Sequence, residues 1–383
     1  MRISVVSETF IPQVNGVSRT LDRLVRHLTS QGDRVQVVIP RYRETAPLLP
    51  KNLEKSEWDG PSLPFYPEVR LPLVTPAGLR QTFKAFAPQL VHIATEGPLG
   101  WSALKAAHDL GVPIVSSYHT NFPQYLANYR LGFLEKTAWR YLCRFHNATR
   151  MTFCPTPSIR DRLLERGFRD LELWSRGVDS LQFNPLNRDE VVRRELGIDP
   201  QEKVIAYVGR LAAEKNLEML LESWRLLPGR EKYRLLLIGD GPLRPRLERC
   251  ADSGVIFAGY WYGYELARLY ASADLFVFPS LSDTFGNVIL EAMASGLPVV
   301  AFQVPGPGDI LREGETGMFA GRIDAEGLAR AMHSLLSQPE RMRTMGVNAR
   351  RYAERQNWKD ILEHLRHTYQ TIIATPSHRS HRP

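Results

Sequence analysis

The chain has 383 residues, 43% hydrophobic and 23% charged, an ordinary globular make-up with room for two cores, since single cores stop growing near ~250–300 residues. Its three cysteines, Cys143, Cys154 and Cys250, stand at no metal-site or redox-motif spacing, so neither a disulfide scaffold nor a zinc module is expected, and a reducing, cytoplasmic setting is. The net charge of +8 is uneven: residues 1–180 carry 23 Lys+Arg against 16 Asp+Glu, a net +7, and residues 181–383 carry 26 against 25, a net +1. An anionic partner is therefore expected for the first half.

In chain order, β-branched residues predict a strand over Arg2–Ser7, then a ten-residue loop and an amphipathic helix over Ser18–Thr29 with Leu21, Leu24, Val25 and Leu28 on one face. Gln31-Gly32-Asp33 ends that helix, and Arg34–Ile39 is the next strand, completing a βαβ unit. Strands follow at Leu90–Ile93, Pro113–Ser117 and Arg150–Cys154, with helical patterns between them, which predicts a parallel sheet covered on both faces. No apolar run approaches ~18 residues and Glu8 interrupts the opening one, so neither a spanning segment nor a leader is expected.

Residues 176–200, with Gly177, Pro185 and Asn187, predict a linker between a first domain over 1–175 and a second over 201–355. The second series starts with a strand at Lys203 and a helix over Asn216–Leu227. It continues with strand Arg234–Gly239, helix Leu243–Ala251, strand Val255–Ala258, helix Tyr264–Ser272, strand Leu275–Pro279, helix Phe285–Ser295 and strand Pro298–Phe302. That pattern is again doubly wound α/β. Residues 356–383 predict a helical return segment and a polar tail.

The strongest chemical feature runs from Pro279 to Val300. A strand ends at Pro279, a turn follows, and a helix is expected from about Phe285, so the amides of Gly286, Asn287 and Val288 would form an anion site. Asp283 precedes that site. Glu291 lies ~9 Å farther along the expected axis, so an elongated ligand would span a sugar at Asp283, a diphosphate over the amides and a ribose at Glu291.

This segment resembles the E-x7-E signature of the retaining family 4 glycosyltransferases of GT-B fold, with Asp283 in the first acidic position, where Glu is usual, and Glu291 in the second. Val208-Gly209-Arg210-Leu211-Ala212-Ala213-Glu214-Lys215-Asn216 resembles the G-R-L-x-x-E-K-[GN] loop of the same family. Negative charge grows on a departing diphosphate and must be offset, and the chain carries no convincing Asp-x-Asp metal motif. Arg210 and Lys215 are therefore expected to act in place of a metal ion. Ile238–Pro242, Phe257–Gly259 and Glu313–Gly317 match the family at loops of the second domain, and the resemblance implies a base near Phe257–Tyr260.

In the first domain, Ser7–Val17 is similar to the family's N-terminal loop, with Asn15-Gly16-Val17 where Gly-Gly-Val is common, and the resemblance implies an amide contact from Gly16 to donor phosphate. Ser117-Tyr118-His119-Thr120 is similar to an element of lipid-directed members, which implies that His119 contacts the transferred sugar.

The resemblance thus implies an α/β, GT-B architecture with two Rossmann-like doubly wound domains facing a cleft. It implies catalytic Arg210, Lys215, His119 and Asp283. The donor-binding set is Gly16, Arg210, Lys215, Asp283, Phe285, Gly286, Asn287, Val288 and Glu291. The donor is expected to be a UDP- or GDP-linked sugar, with no metal and no cofactor.

From Tyr118 to Arg150, Phe122, Tyr125, Tyr129, Phe133, Trp139, Tyr141 and Phe145 interleave with Arg130, Lys136, Arg140, Arg144 and Arg150. A membrane interface suits that mixture better than nucleic acid, for which no module is present. The expected acceptor is a membrane glycerolipid or lipid-linked glycan reached by peripheral attachment. A lipopolysaccharide or soluble glycan acceptor, a nucleotide-sugar epimerase and a catalytically silent binding protein of the same fold are the competing readings.

Overall fold

The computed structural model describes residues 1–13, 15–42, 50–63, 66–119 and 132–375. These fall into two compact units: one takes residues up to 119, 132–175 and 359–375, and the other takes 176–358.

The first unit is built in the order β1 (Arg2–Val6), α1 (Gly16–Ser30), β2 (Arg34–Pro40), β3 (Leu53–Trp58), a small antiparallel pair β4 (Ser62–Leu63) and β5 (Tyr66–Arg70), α2 (Pro76–Phe86), β6 (Leu90–Ile93), α3 (Pro98–Asp109), β7 (Ile114–Ser117), α4 (Glu135–Asn147), β8 (Met151–Cys154), α5 (Pro157–Glu165) and β9 (Leu171–Leu173). Its seven-stranded sheet has the order β3-β2-β1-β6-β7-β8-β9 and is parallel throughout. The predicted face of α1 is the buried one, with Leu21, Leu24, Val25 and Leu28 turned inward. Val6, Val38, Val91 and Ile93 of the central strands share a core with Leu79 and Phe83 of α2 and Leu99 and Ala103 of α3. The strand β3, absent from the expectation, carries Glu54, Lys55 and Glu57. Charge of that kind on an edge strand discourages further pairing and hides the strand from a hydrophobicity pattern.

The second unit runs α6 (Glu190–Glu195), β10 (Lys203–Val208), α7 (Leu217–Leu226), β11 (Tyr233–Ile238), α8 (Arg244–Cys250), β12 (Val255–Gly259), α9 (Gly263–Ala271), β13 (Leu275–Phe278), α10 (Asn287–Ala294), β14 (Val299–Phe302), α11 (Pro307–Ile310), β15 (Gly317–Ala320), α12 (Ala325–Leu336) and α13 (Pro339–Glu354). Its sheet order is β12-β11-β10-β13-β14-β15, again parallel. Residues 176–200, expected as a linker, are packed into this unit. Val178, Phe183, Val192 and Ile198 belong to its core, and buried Arg193 donates to the Ser272 carbonyl at 3.0 Å and pairs with Asp274 at 3.4 Å. Gly and Pro suggested a connector, but the apolar residues between them decide the packing.

The final helix, α14 (Trp358–Ala374), belongs from Lys359 onward to the first unit. Arg366 Nε donates to Asp33 at 2.8 Å, and Tyr369 pairs with the buried His92 ring at 2.5 Å. Arg150, expected on a basic surface, instead donates to the carbonyls of Ile372 (3.1 Å) and Thr375 (2.8 Å) at the end of α14. Those carbonyls lack intrahelical partners, which makes a guanidinium there favourable.

Gly239, just past β11, has φ +141°, and a Cβ there would stand 2.0 Å from the Gly209 carbonyl oxygen past β10. The Cβ is fixed to its backbone and the oxygen is backbone, so neither yields easily. Gly239→Ala is expected to lower unfolding stability by about 2–4 kcal/mol in urea titrations. Gly321→Ala, whose Cβ meets nothing within 4 Å, is expected to be neutral. Equal stabilities for the two variants would contradict this close crossing of the loops.

Candidate active site

In the second unit, β10 is the strand from which the sheet winds both ways, to β11 on one side and to β13 on the other. Connections leaving neighbouring strands toward opposite faces open a crevice beyond their carboxyl ends. The loops bordering that crevice are 209–216 after β10 and 279–286 after β13. They are stitched together. Ser280 and Ser282 both donate to the Glu214 carbonyl, at 3.2 and 3.4 Å, and Asn216 Nδ2 donates to the Pro279 carbonyl at 3.4 Å.

This stitching brings Lys215 against Asp283. The ammonium donates to both carboxylate oxygens, at 2.6 and 2.9 Å, with only 16% and 17% of the side chains exposed. Burial alone lowers the Lys215 pKa, but the Asp283 carboxylate, with Tyr207 and Glu214 adding to its effect, outweighs this and holds it above the usual lysine value. Two residues expected to face different parts of a ligand are thus partnered with each other. Arg210 lies half-buried on the same loop as Lys215, and its carbonyl accepts from the buried Tyr207 hydroxyl at 3.1 Å.

The helix α10 begins at Asn287, two residues later than expected, because Gly286 sits at φ +97° in the left-handed region and serves as the N-cap. Among the described residues no side chain caps this end, so the Asn287 and Val288 amides lie in the first turn of a helix open to an anion. Phe285 is a core residue, 7% exposed, and offers a ligand only its backbone. Glu291 is therefore nearer the helix start than expected, ~6 Å along the axis rather than ~9 Å. Its carboxylate accepts at 3.0 Å from the hydroxyl of Tyr270, a residue the sequence reading did not single out.

The first unit has its own switch point, between β1 and β6. Glu8, just past β1, crosses to the β6–α3 loop: its carboxylate accepts from the Thr95 hydroxyl and, at 3.1 Å, from the Gly100 amide in the first turn of α3. Only 4% of it is exposed. Burial pushes its pKa up to about 7 against the opposing effect of those two hydrogen bonds, and the Glu96 charge adds to the rise.

Gly16 opens α1, but Asn15 caps that helix in a reciprocal box with Ser18, accepting from the Ser18 amide at 2.8 Å. His119, half-buried beyond β7, stands edge-on to Trp174 at 5.5 Å; Thr120 lies outside the described residues. Along α4, Lys136, Arg140 and Arg144 are exposed at four-residue intervals, while Trp139 and Phe145 point into the core. Phe122, Tyr125, Tyr129 and Arg130 lie outside the described residues.

Comparison with known proteins identifies the family and the fold. A family model described as "Glycosyl transferases group 1" matches residues 202–338, and one described as "Glycosyltransferase Family 4" matches residues 14–180. The chain is 33% identical over 383 residues to a GDP-mannose-dependent alpha-mannosyltransferase of Mycobacterium tuberculosis, covering 97% of each. It is 34% identical to the sulfoquinovosyl transferase SQD2 of Arabidopsis thaliana, over 92% of this chain and 70% of that one. An alpha-monoglucosyldiacylglycerol synthase of Streptococcus pneumoniae is 27% identical over 89% and 79%. In fold, it is similar to sucrose-phosphate synthase from Thermosynechococcus elongatus (TM-score 0.82, 21% identity, covering 97% and 99%) and to Anabaena HepE solved with UDP and glucose (0.78, 18%, 97% and 100%). The chain belongs to the group 1, family 4 glycosyltransferases, and its two Rossmann-like units are those of the GT-B fold.

The sign of the Glu8 contribution follows from its raised pKa. Between the ordinary value near 4.5 and about 7 the folded chain retains a proton that the unfolded chain releases. The stabilisation is therefore complete below the ordinary value and disappears as pH rises toward 7. Wild type is expected to lose about 2 kcal/mol more than Glu8→Gln between pH 5 and pH 8, read by urea unfolding at both values. Parallel pH profiles would contradict a buried, protonated Glu8.

Proposed function

We propose that the chain is a retaining, metal-independent hexosyltransferase that takes a sugar from a nucleoside diphosphate bound to the second unit and passes it to a lipid or lipid-linked hydroxyl. The observation that carries this reading is the Lys215–Asp283 pair at the switch point, beside the open first turn of α10. An ammonium already held by a carboxylate, next to uncapped helix amides, is an anion site kept neutral while empty. On donor binding the diphosphate takes over Lys215, and Asp283 turns to the sugar hydroxyls. Glu291 then accepts from the ribose diol.

In the transfer step the bond from C1 to the diphosphate oxygen breaks and the acceptor oxygen bonds to C1 on the same face. The acceptor proton passes to the departing phosphate oxygen. Arg210, Lys215 and the α10 amides offset the charge that grows there, which is the kind of preorganised stabilisation that lowers a barrier most.

GDP-mannose is the first donor to test, since the mycobacterial relative is named for it, and UDP-sugars are the second. A lipid acceptor is supported by the name of the streptococcal relative and by α4, where Lys136, Arg140 and Arg144 share a face with exposed Tyr141 and follow exposed Phe133. Basic residues near an anionic membrane contribute about 1 kcal/mol each, and aromatic insertion adds to that. Among the described residues no helix is long and apolar enough to cross a membrane.

Arg210→Ala is expected to lower kcat by roughly 10²–10³ with a smaller effect on donor affinity. Lys215→Ala alone also strands the Asp283 carboxylate, so the Lys215→Ala/Asp283→Asn double variant is measured beside it; both are expected to show the same order of loss. EDTA is expected to leave activity unchanged. Wild-type turnover in Arg210→Ala or a full requirement for added metal would overturn the cationic-clamp reading.

For the acceptor side, reversal of Lys136, Arg140 and Arg144 to Glu is expected to release the protein from anionic vesicles while nucleotide affinity stays at the wild-type value. A wild-type chain that ignores anionic vesicles at low salt and glycosylates only soluble acceptors would contradict the lipid reading.

A further inference from the structure

Tyr270, on α9, is completely buried, with Phe183 packed edge-on at 5.6 Å and Phe276 tilted at 5.8 Å. Its ring alone would satisfy that environment as a phenylalanine does. The hydroxyl is directed instead at α10, where it donates to Glu291 Oε2 at 3.0 Å and lies 3.4 Å from the Val288 carbonyl one turn earlier. We infer that Tyr270 is a positioning residue for nucleotide recognition: it fixes the Glu291 carboxylate in the rotamer that receives a ribose diol. The inference rests on the reading of Glu291 as the ribose contact.

The physical case has three parts. A glutamate side chain has three rotatable bonds, and ordering it only when a ligand arrives weakens binding by the entropy lost at that moment. A phenol donor from a rigid, fully packed ring orders it beforehand. Next, an ionised carboxylate has about four acceptor directions, and the phenol uses one, which leaves capacity for the two hydroxyls of a diol. Last, Tyr270 and Glu291 sit on successive helices flanking β13, so the contact ties the position of the carboxylate to the same strand whose following loop carries Asp283.

The test uses the full chain, with GDP, UDP and their 2′,3′-dideoxy counterparts titrated calorimetrically into wild type, Tyr270→Phe and Glu291→Gln. Wild type is expected to prefer the ribonucleotide of whichever base it accepts. Tyr270→Phe keeps the packed ring, and it is expected to bind that ribonucleotide about five- to tenfold more weakly while its affinity for the dideoxy form changes less than twofold. Glu291→Gln is expected to show the same selectivity in larger measure. Equal weakening of both nucleotide forms by Tyr270→Phe would mean that the tyrosine only supports the fold, and the positioning role would be wrong. Unchanged ribonucleotide affinity in Tyr270→Phe alongside a clear loss in Glu291→Gln would also overturn it, leaving the Glu291 contact standing. If Glu291→Gln binds as wild type, or wild type binds neither nucleotide, the reading of Glu291 fails and the role of Tyr270 falls with it.

Discussion

Parallel strands that wind outward in two directions from one strand leave a gap above that strand, because the connections on either side depart toward opposite faces of the sheet. In the second unit that strand is β10, and the loop that follows it meets the loop that follows β13. The crevice would be useless if its bordering loops were free to drift. Here backbone and side chain hold them together: two serines converge on the Glu214 carbonyl, Asn216 reaches the Pro279 carbonyl, and the Lys215–Asp283 pair closes the same seam. The ion pair thus helps to hold the two loops against each other. A half-buried pair of this kind stabilises little on balance, since desolvation opposes the attraction.

The same topological device recurs in the first unit, with a different use of charge. The switch strand is β1, and the carboxylate beyond it, Glu8, spans to the next loop and serves the open end of α3 from outside that helix. Among the described residues no cation pairs with it. Burial therefore raises its pKa to about 7, whereas Lys215 is kept charged by its partner. Two equivalent places in two related sheets carry an acid of raised pKa in one case and a closed ion pair in the other.

Much of this was legible in the amino-acid order. Alternating strand and helix patterns located most of the β-strands, and the Arg210–Lys215 and Asp283–Glu291 segments follow the neighbouring strands β10 and β13, as the pattern predicted. Other features resisted reading for identifiable reasons. The start of α10 depends on one residue, Gly286, whose left-handed backbone delays the helix and draws Glu291 inward. Phe285 was expected to open the helix beside a ligand, but a large apolar side chain next to a sheet is drawn into the core. Ser280, Ser282 and Tyr270 are of types found anywhere, and only their distances mark them. The apolar residues of 176–200 are too widely spaced for periodicity to show that they pack with the second unit.

The central claim is that a nucleoside diphosphate replaces Asp283 as the partner of Lys215 at the end of β10. A crystal structure of the chain grown with GDP or UDP examines this directly. The β-phosphate is expected within hydrogen-bonding distance of Lys215 Nζ and of an amide in the first turn of α10, with Asp283 separated from the ammonium. A nucleotide bound elsewhere, with the Lys215–Asp283 pair still closed, would contradict it.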